Sequence, residues 1–456
     1  MNKTIGTQVI SVVGLGKLGA CIAACLASRG FKVLGYDANE KVTLLLNGGK
    51  APVAEPGLDE LIGRFRKNIS ATMKPEEIIE KTDITFIIVP TPSKKDGNFA
   101  DKFLKDVLTK LAPAIKEKKG HHLFVINSTV SPQTTERSLI PLIEKLSSKK
   151  LNERFSVCYK PEFIALGDVI NGILNPDLVL IGEGNVKAGD VLEKIYKKLC
   201  NNKPYIARMS IVSAEIMKIA LNSYVTMKIS YANMLGNICE RIPGANVDDI
   251  TRALGADKRI SPHYLKAGLT FGGPCFPRDN RAFQAFAKRL GLRAIMAEAT
   301  DKVHHFQTEN LTVRILEVLK SHNHDSISVL GLSYKPKTGV IDESPAVKLI
   351  CNILERNAGI KISVYDHLAQ DNARKFFSDR IDYAPTIKEC LNRSKCWVLA
   401  TPEKDYVEIS TLHALENEGT IIDCWRVLDY TKLKKHTHYL SPGGNLYENS
   451  YYTTWG

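Results

Sequence analysis

The sequence predicts an α/β protein: two doubly wound parallel sheets joined by a central helical domain with a long helix. Three observations carry this. Apolar strand-like runs alternate with helical stretches from Val9 to Ile126 and again from Ile327 to Asp423. Between them, Ser210 to Cys239 contains no helix breaker until Gly236. The opening pattern, VVGLG at Val12–Gly16 and LGYD at Leu34–Asp37, returns as VLGLS at Val329–Ser333 and SVYD at Ser363–Asp366. At roughly 150 residues per domain the chain holds about three domains, with boundaries at 1–208, 209–310 and 311–456.

The elements follow in order. Val9–Val13 is a buried strand by composition and runs into Gly14-Leu15-Gly16-Lys17-Leu18-Gly19. A small-residue helix, Ala20 to Arg29, ends at Gly30, and a second strand, Lys32–Tyr36, ends at Asp37. A G-x-G-x-x-G run between a strand and a helix, with an acid 18 residues past its last glycine, is the dinucleotide fingerprint of a Rossmann-like domain. Gly14 permits the tight turn, Gly16 lets backbone approach a pyrophosphate, and Gly19 lets the helix pack on the strand. The turn from Gly16 through Lys17 and Leu18 opens the helix whose N-terminus stabilises phosphate charge. Asp37 would accept hydrogen bonds from a ribose and repel a 2′-phosphate, which favours NAD over NADP.

Strand Ile84–Val89 ends in Pro90-Thr91-Pro92, and strand Leu123–Ile126 ends in Asn127-Ser128-Thr129. Ligands in such sheets lie off the carboxyl ends of strands, so Thr91 and Thr129 point toward the nicotinamide half of a cleft; either hydroxyl can instead cap a helix. In the long helix Lys218 and Asn222 are four apart, hence on one face. They can donate to an oxyanion, or form a solvated polar pair. The helix itself, about 45 Å at 1.5 Å per residue, suits a linker or a dimer spine. The second doubly wound unit runs through strand Ile327–Leu330, helix Pro345–Arg356, strand Lys361–Tyr365 and strands Trp397–Ala400 and Thr420–Asp423. Its glycine signature is incomplete, so a nucleotide is expected there rather than a second NAD.

Composition excludes several classes. With 44% hydrophobic and 24% charged residues the chain reads as globular. No apolar run approaches the ~20 residues of a membrane span, and the polar start, Met1 to Gln8, does not read as a signal peptide. Ten cysteines show no CxxC or Cys/His metal spacing. The expectation is free thiols, no metal site and a cytoplasmic location. The net charge of +13 fits an anionic partner or a lysine-rich surface, with runs such as Lys116–Lys119 and Lys432–Lys435. No nucleic-acid module is recognisable, so a nucleic-acid partner is not expected.

FGGPCFPRD, Phe271 to Asp279, packs two glycines, two prolines and a cysteine into nine positions, a poor helix and a poor strand. It resembles the catalytic FGGSCFPKD segment of the UDP-glucose/GDP-mannose dehydrogenase family. Other segments agree with that family in order and spacing: Tyr36–Val42 with Lys41, the EPGL-containing loop Leu46–Leu61, Asn127–Val130, Pro161-Glu162-Phe163, Lys218 with Asn222, and Asp257–Ile260. The resemblance implies an N-terminal NAD domain, a helical middle and a C-terminal nucleotide-sugar domain in a homodimer or higher homo-oligomer. It further implies oxidation of a sugar C6 alcohol to a carboxylate with two NAD, producing sugar acids for polysaccharide biosynthesis.

In that reading Cys275 is the nucleophile, Lys218 and Asn222 stabilise the oxyanion, and Thr129 and Asp279 place the water. Glu162 is the remaining acid, because the family's second glutamate is replaced by Leu166. Gly14, Gly16, Lys17, Leu18, Gly19, Asp37, Lys41, Thr91 and Thr129 would hold NAD. Glu162, Phe163, Lys218, Asn222, Arg259, Phe271, Gly272, Lys335 and Arg426 would hold the nucleotide sugar, with Arg259 reaching a substrate in the partner subunit. The chain departs from the family at Pro274, Arg278, Gly339, Val340, Asp342 and Trp425, mostly on the nucleotide-sugar side. UDP-glucose is the default substrate, with a UDP-N-acetylhexosamine or GDP-mannose as alternatives. A simple two-electron hydroxyacid dehydrogenase is the alternative class, but it has no use for Cys275.

Overall fold

The computed structural model describes residues 8–164, 166–411, 419–433 and 437–444. The first seven residues, Lys434 and Lys435 of the basic run, and the end of the third expected domain lie outside them. The chain divides into two compact units, 1–220 and 221–456.

The first unit is an eight-stranded sheet. Its strands are β1 (Val9–Val13), β2 (Lys32–Tyr36), β3 (Ile69–Thr72), β4 (Ile84–Ile87), β5 (His122–Ile126), β6 (Phe155–Tyr159), β7 (Leu178–Glu183) and β8 (Tyr205–Ser210). The order is β3-β2-β1-β4-β5-β6-β7-β8. The first six strands run in the doubly wound 3-2-1-4-5-6 order, whose reversal between β1 and β4 opens a ligand crevice. Only the β6–β7 pair is antiparallel among the described strands. Alternate residues feed two cores. Val12, Phe86 and Val125 pack on one face, and Val13, Ile87 and Phe124 on the other. Burial on both faces is why these strands read as continuous apolar runs.

The second unit repeats this plan with β9 (Ser326–Leu330), β10 (Lys361–Tyr365), β11 (Asp382–Tyr383), β12 (Cys396–Leu399), β13 (Gly419–Asp423) and β14 (Thr437–Leu440). The order β11-β10-β9-β12-β13-β14 is again 3-2-1-4-5-6. The sequence echo is also a structural one. Gly14 N–H donates to Tyr36 O at 2.9 Å and Gly331 N–H to Tyr365 O at 2.9 Å. Leu15 N–H donates to Asp37 at 2.8 Å and Leu332 N–H to Asp366 at 2.8 Å. The two acids then part company. Asp366 is 3% exposed and also takes the N–H groups of Ser333, Leu368 and Ala369, so its carboxylate is committed to the loop.

Several strand ends differ from the sequence expectation by one or two residues, and two helix starts also differ. The first helix starts at Lys17 rather than Ala20, with Gly16 as its N-cap and Gly19 buried within its first turn. The long helix starts at Ile211 and spans 29 residues. Ser210 belongs to β8, and its hydroxyl accepts the Ser213 N–H as a cap.

Candidate active site

In the first unit, the three fingerprint glycines do different work. Gly14 sits at φ +89°, and a Cβ there would meet Ile88 O at 2.1 Å; at Gly19 it would meet Gly14 O at 1.8 Å. The chain's own packing demands both. At Gly16 a Cβ would meet nothing within 4 Å, and this residue caps the helix with no side-chain acceptor. Open space over uncapped N–H groups is what a diphosphate requires, so the residues fit NAD on their own geometry. Lys17 is exposed and Leu18 half-buried in the first turn. Asp37 accepts from Leu15 N–H at 2.8 Å and Asn39 N–H at 2.9 Å, which orients a half-buried carboxylate with lone pairs to spare. Lys41 is exposed in the next helix, its N–H held by Asn39.

The loops after β4 and β5 are stitched together. The Ser128 hydroxyl accepts from Val89 N–H at 2.8 Å and donates to Val89 O at 2.7 Å. Thr91 is 5% exposed, and its hydroxyl donates to Thr129 O at 2.7 Å. Thr91 therefore acts on the Thr129 loop, neither capping a helix nor standing open to a ligand. Thr129 itself is half-buried.

Beyond β6 lies a group that sequence reasoning only half saw. Glu162 Oε1 meets the ammonium of Lys160, a residue 3% exposed, and accepts from Asn127 and Tyr196 at 3.3 Å each. Lys160 was overlooked, although a lysine between an apolar strand and a Pro-Glu pair is an available signal. Burial pulls its pKa down, while the Glu162 carboxylate pushes it up. Leu166 packs against the core of the first unit, so the missing second glutamate is replaced by an apolar contact. Lys218 is 5% exposed, with Nζ 5.0 Å from the centre of the Phe163 ring. One turn before it, buried Glu215 accepts from Gln133 N–H at 2.6 Å and Thr135 N–H at 2.9 Å. Burial raises its pKa to about 7.

In the second unit, Cys275 stands out from every other thiol. It is exposed, whereas Cys351 is half-buried and the other eight are buried. Burial pushes Cys21, Cys158, Cys390 and Cys396 up to about 12, which makes them poor nucleophiles at neutral pH. Cys275 is the N-cap of a 14-residue helix, Phe276–Arg289, with Pro277 in its first turn. That position favours negative charge on sulfur. Asp279, fully buried in the first turn, accepts from the Asn222 side chain at 2.7 Å. A second rung lies beside it, Ser223 donating to Asn280 at 2.7 Å, and fixes the thiol-bearing helix against the long helix.

Gly272 is expected among the residues that hold the nucleotide sugar. Instead, its missing Cβ makes room for Glu343 O at 2.5 Å and Pro345 at 2.7 Å. Gly273, at φ +87°, makes room for the Tyr334 ring at 2.5 Å, and its N–H donates to Asp342 O at 3.1 Å. Both glycines are required because segment 334–345 lies directly against the cysteine loop. Tyr334 is close enough to Cys275 that the sulfur adds to the burial holding its phenol at about 12. Phe271 is likewise spoken for: it is buried and stacks on His304 at 4.2 Å between ring centres.

Arg426 departs furthest from its expected role. Its guanidinium meets both Asp248 oxygens, at 2.7 and 3.0 Å, and donates to Ala267 O at 2.7 Å and to Pro442 O. All its reach goes to internal partners. Beside it, Trp425 donates to Ala400 O at 2.8 Å. Gly339 would strike Leu368 O at 2.5 Å with any Cβ, so no acidic side chain fits there without a backbone shift. Lys335 is half-buried next to Tyr334. Arg259 is exposed and forked onto Asp257 at 2.6 and 2.9 Å. Among the described residues, no group of three or more His, Cys, Asp or Glu is placed to hold a metal. No described helix is long and apolar enough to cross a membrane.

Three family models match in succession: the UDP-glucose/GDP-mannose dehydrogenase NAD binding domain over residues 8–200, the central domain over 212–305 and the UDP binding domain over 328–430. The chain belongs to the UDP-glucose/GDP-mannose dehydrogenase family. Within this family, the UDP-glucose 6-dehydrogenase AglM of Haloferax volcanii is 34% identical over 436 residues, covering 93% of this chain and 99% of that one. A GDP-mannose 6-dehydrogenase of Pseudomonas aeruginosa is 34% identical over 361 residues, covering 78% and 80%. Among solved structures, a UDP-glucose dehydrogenase from the archaeon Pyrobaculum islandicum superposes with a TM-score of 0.86 at 30% identity, covering 96% and 98%. The chain is an NAD-dependent nucleotide-sugar 6-dehydrogenase. The hydroxyacid-dehydrogenase alternative is not favoured.

Proposed function

We propose that this dehydrogenase oxidises UDP-glucose to UDP-glucuronate, with Cys275 as the covalent nucleophile. The observation that carries the nucleophile assignment is the one exposed thiol of ten, at a helix N-terminus four residues before a buried aspartate. The substrate choice is supported by relatives: the UDP-glucose enzyme of Haloferax volcanii matches nearly end to end, the GDP-mannose enzymes over about four-fifths. The domain reading of 1–208, 209–310 and 311–456 stays part of the proposal, supported by family spans of 8–200, 212–305 and 328–430.

NAD, held at the Gly16 turn and by Asp37, would supply the hydride acceptor for each of two oxidations, two being consumed per sugar. Between them the Cys275 thiolate adds to the C6 aldehyde, forming a C–S bond while the carbonyl electron pair moves to oxygen. Lys218 and the second amide proton of Asn222 donate to that oxygen. The second oxidation leaves a thioester. Water, held by Thr129 and Asp279 and hydrogen-bonded to Glu162, attacks it; the C–S bond breaks, and the thiol and a carboxylate remain. Lys335 contacts the diphosphate. Phe163, Gly272 and Phe271 shape the site from their backbone and packing, while Arg426 supports it through Asp248.

A homodimer and a cytoplasmic location complete the proposal. The dimer is supported by an exposed apolar stripe on the long helix, with Arg259 left exposed to reach a partner's substrate. The cytoplasm is supported by ten unbridged cysteines. Turnover of purified enzyme over a panel of nucleotide sugars, with NAD and with NADP, tests the reading. UDP-glucose with NAD should give the highest kcat/KM and two NADH per sugar. One NADH per sugar would remove the thioester route, and a preference for NADP would remove the role given to Asp37.

A further inference from the structure

Glu162 is held by one oxygen. The Lys160 ammonium, the Tyr196 hydroxyl and the Asn127 amide all converge on Oε1. Among the described residues, none hydrogen-bonds Oε2. Lys160 itself follows the last residue of β6, its N–H bound to Ile126 O at 2.8 Å, and its Nζ lies 4.1 Å from the centre of the Tyr196 ring. Asn127 is two residues before Thr129. The Lys160 backbone and the Asn127–Glu162 bond thus tie together the strand ends that carry Glu162 and Thr129, and the buried ammonium is clamped on the same carboxylate.

An ammonium stripped of water is costly unless paired, and its pairing here is with an acid assigned to the reaction. We propose that Lys160 is a positioning residue for hydrolysis: it pins Oε1 and balances its charge, so that Oε2 is presented to the attacking water. The inference rests on the reading of Glu162 as the acid at the reacting carbon. The other titratable groups facing this cluster are Tyr196, Cys200, Cys25 and Arg29. The three neutral ones carry no charge at neutral pH, and Arg29 is engaged with Leu199 O and Asn201. Lys160 is therefore the cation in direct contact with Glu162.

The test follows the hydrolysis phase of a single turnover with UDP-glucose and NAD, by rapid quench, across pH. In Lys160→Met the buried carboxylate loses its counter-charge, and protonation relieves it. The acid limb of hydrolysis should move to higher pH, reading as about a tenfold loss on that limb for each unit displaced, with the NADH burst intact. Lys160→Arg should keep the limb nearer its original place. Glu162→Gln should be slow at every pH, and Lys160→Met/Glu162→Gln no slower than Glu162→Gln. An unchanged pH profile in Lys160→Met, with only a lower melting temperature, would overturn the proposal, as would a double variant slower than Glu162→Gln. That last comparison removes both charges together, so it decides the matter even where Lys160→Met alone does not fold. Full-speed hydrolysis in Glu162→Gln would instead remove the underlying reading of Glu162.

Discussion

At the scale of single residues, the division of labour around Cys275 is open to direct measurement. Asp279 is buried and accepts from Asn222 at 2.7 Å; an asparagine there can still accept that bond, so Asp279→Asn should fold. In the proposed mechanism hydride transfer does not need this carboxylate, but placing the hydrolytic water does. Losing such help costs ~10²- to 10⁴-fold. We expect Asp279→Asn to show a burst of about two NADH per site, then slow turnover. Intact-protein mass spectrometry after acid quench should find a sugar-acyl adduct, mapped to Cys275 and absent from Cys275→Ala. Slow turnover with neither burst nor adduct would place Asp279 before the thioester.

At the scale of elements, the long helix is more than a carrier of Lys218 and Asn222. Tyr224, Tyr231, Met234 and Ile238 are exposed at spacings of seven, three and four, a stripe along one face. Ile242 beyond its end, with Val303 and Phe306 from the helix Ile295–Ser321, borders the same apolar groove. An exposed apolar face of this kind marks an interaction surface, and a symmetric copy is the commonest occupant. If this face seats the proposed second copy, Met234→Glu should shift the enzyme from dimer to monomer in light scattering. If Arg259 completes a partner's site, the KM for sugar should rise in the monomer. A variant that stays dimeric with unchanged KM would place the interface elsewhere.

At the scale of the whole chain, one plan is used twice, and the two copies diverge where chemistry requires it. The first keeps Gly16 open above a helix N-terminus. The second puts Ser333 at the matching place and spends Asp366 on four backbone donors. Stability should carry a signature of one buried acid in the first unit. Burial lifts Glu215 from 4.5 to about 7 against two backbone N–H bonds. A folded-state value above the unfolded one means stability that is fully present below about 4.5 and lost as pH rises through about 7. The loss is on the order of 3 kcal/mol. Denaturant midpoints of the wild type should fall between pH 5 and 8 more than those of Glu215→Gln. Parallel curves would show that Glu215 does not titrate in this window.

Local spacing decided the two sheets and the NAD fingerprint, and resemblance to the family marked the thiol loop. A strand, a turn and a helix N-terminus occupy contiguous residues, so their requirements are written side by side, as at Val9–Asp37 and Phe271–Asp279. Helix Pro345–Arg356 was legible to the residue for the same reason: a proline after a serine opens it and a run of apolar i, i+3 and i+4 positions sustains it. What only tertiary structure decided are partnerships between distant segments. Arg426 and Asp248 are 178 residues apart, Gly273 and Tyr334 sixty-one, and Asn222 and Asp279 fifty-seven. No local period encodes such pairs. Whether an arginine grips a ligand or an aspartate, and whether a glycine makes room for a substrate or a tyrosine ring, depends on what folding brings beside it.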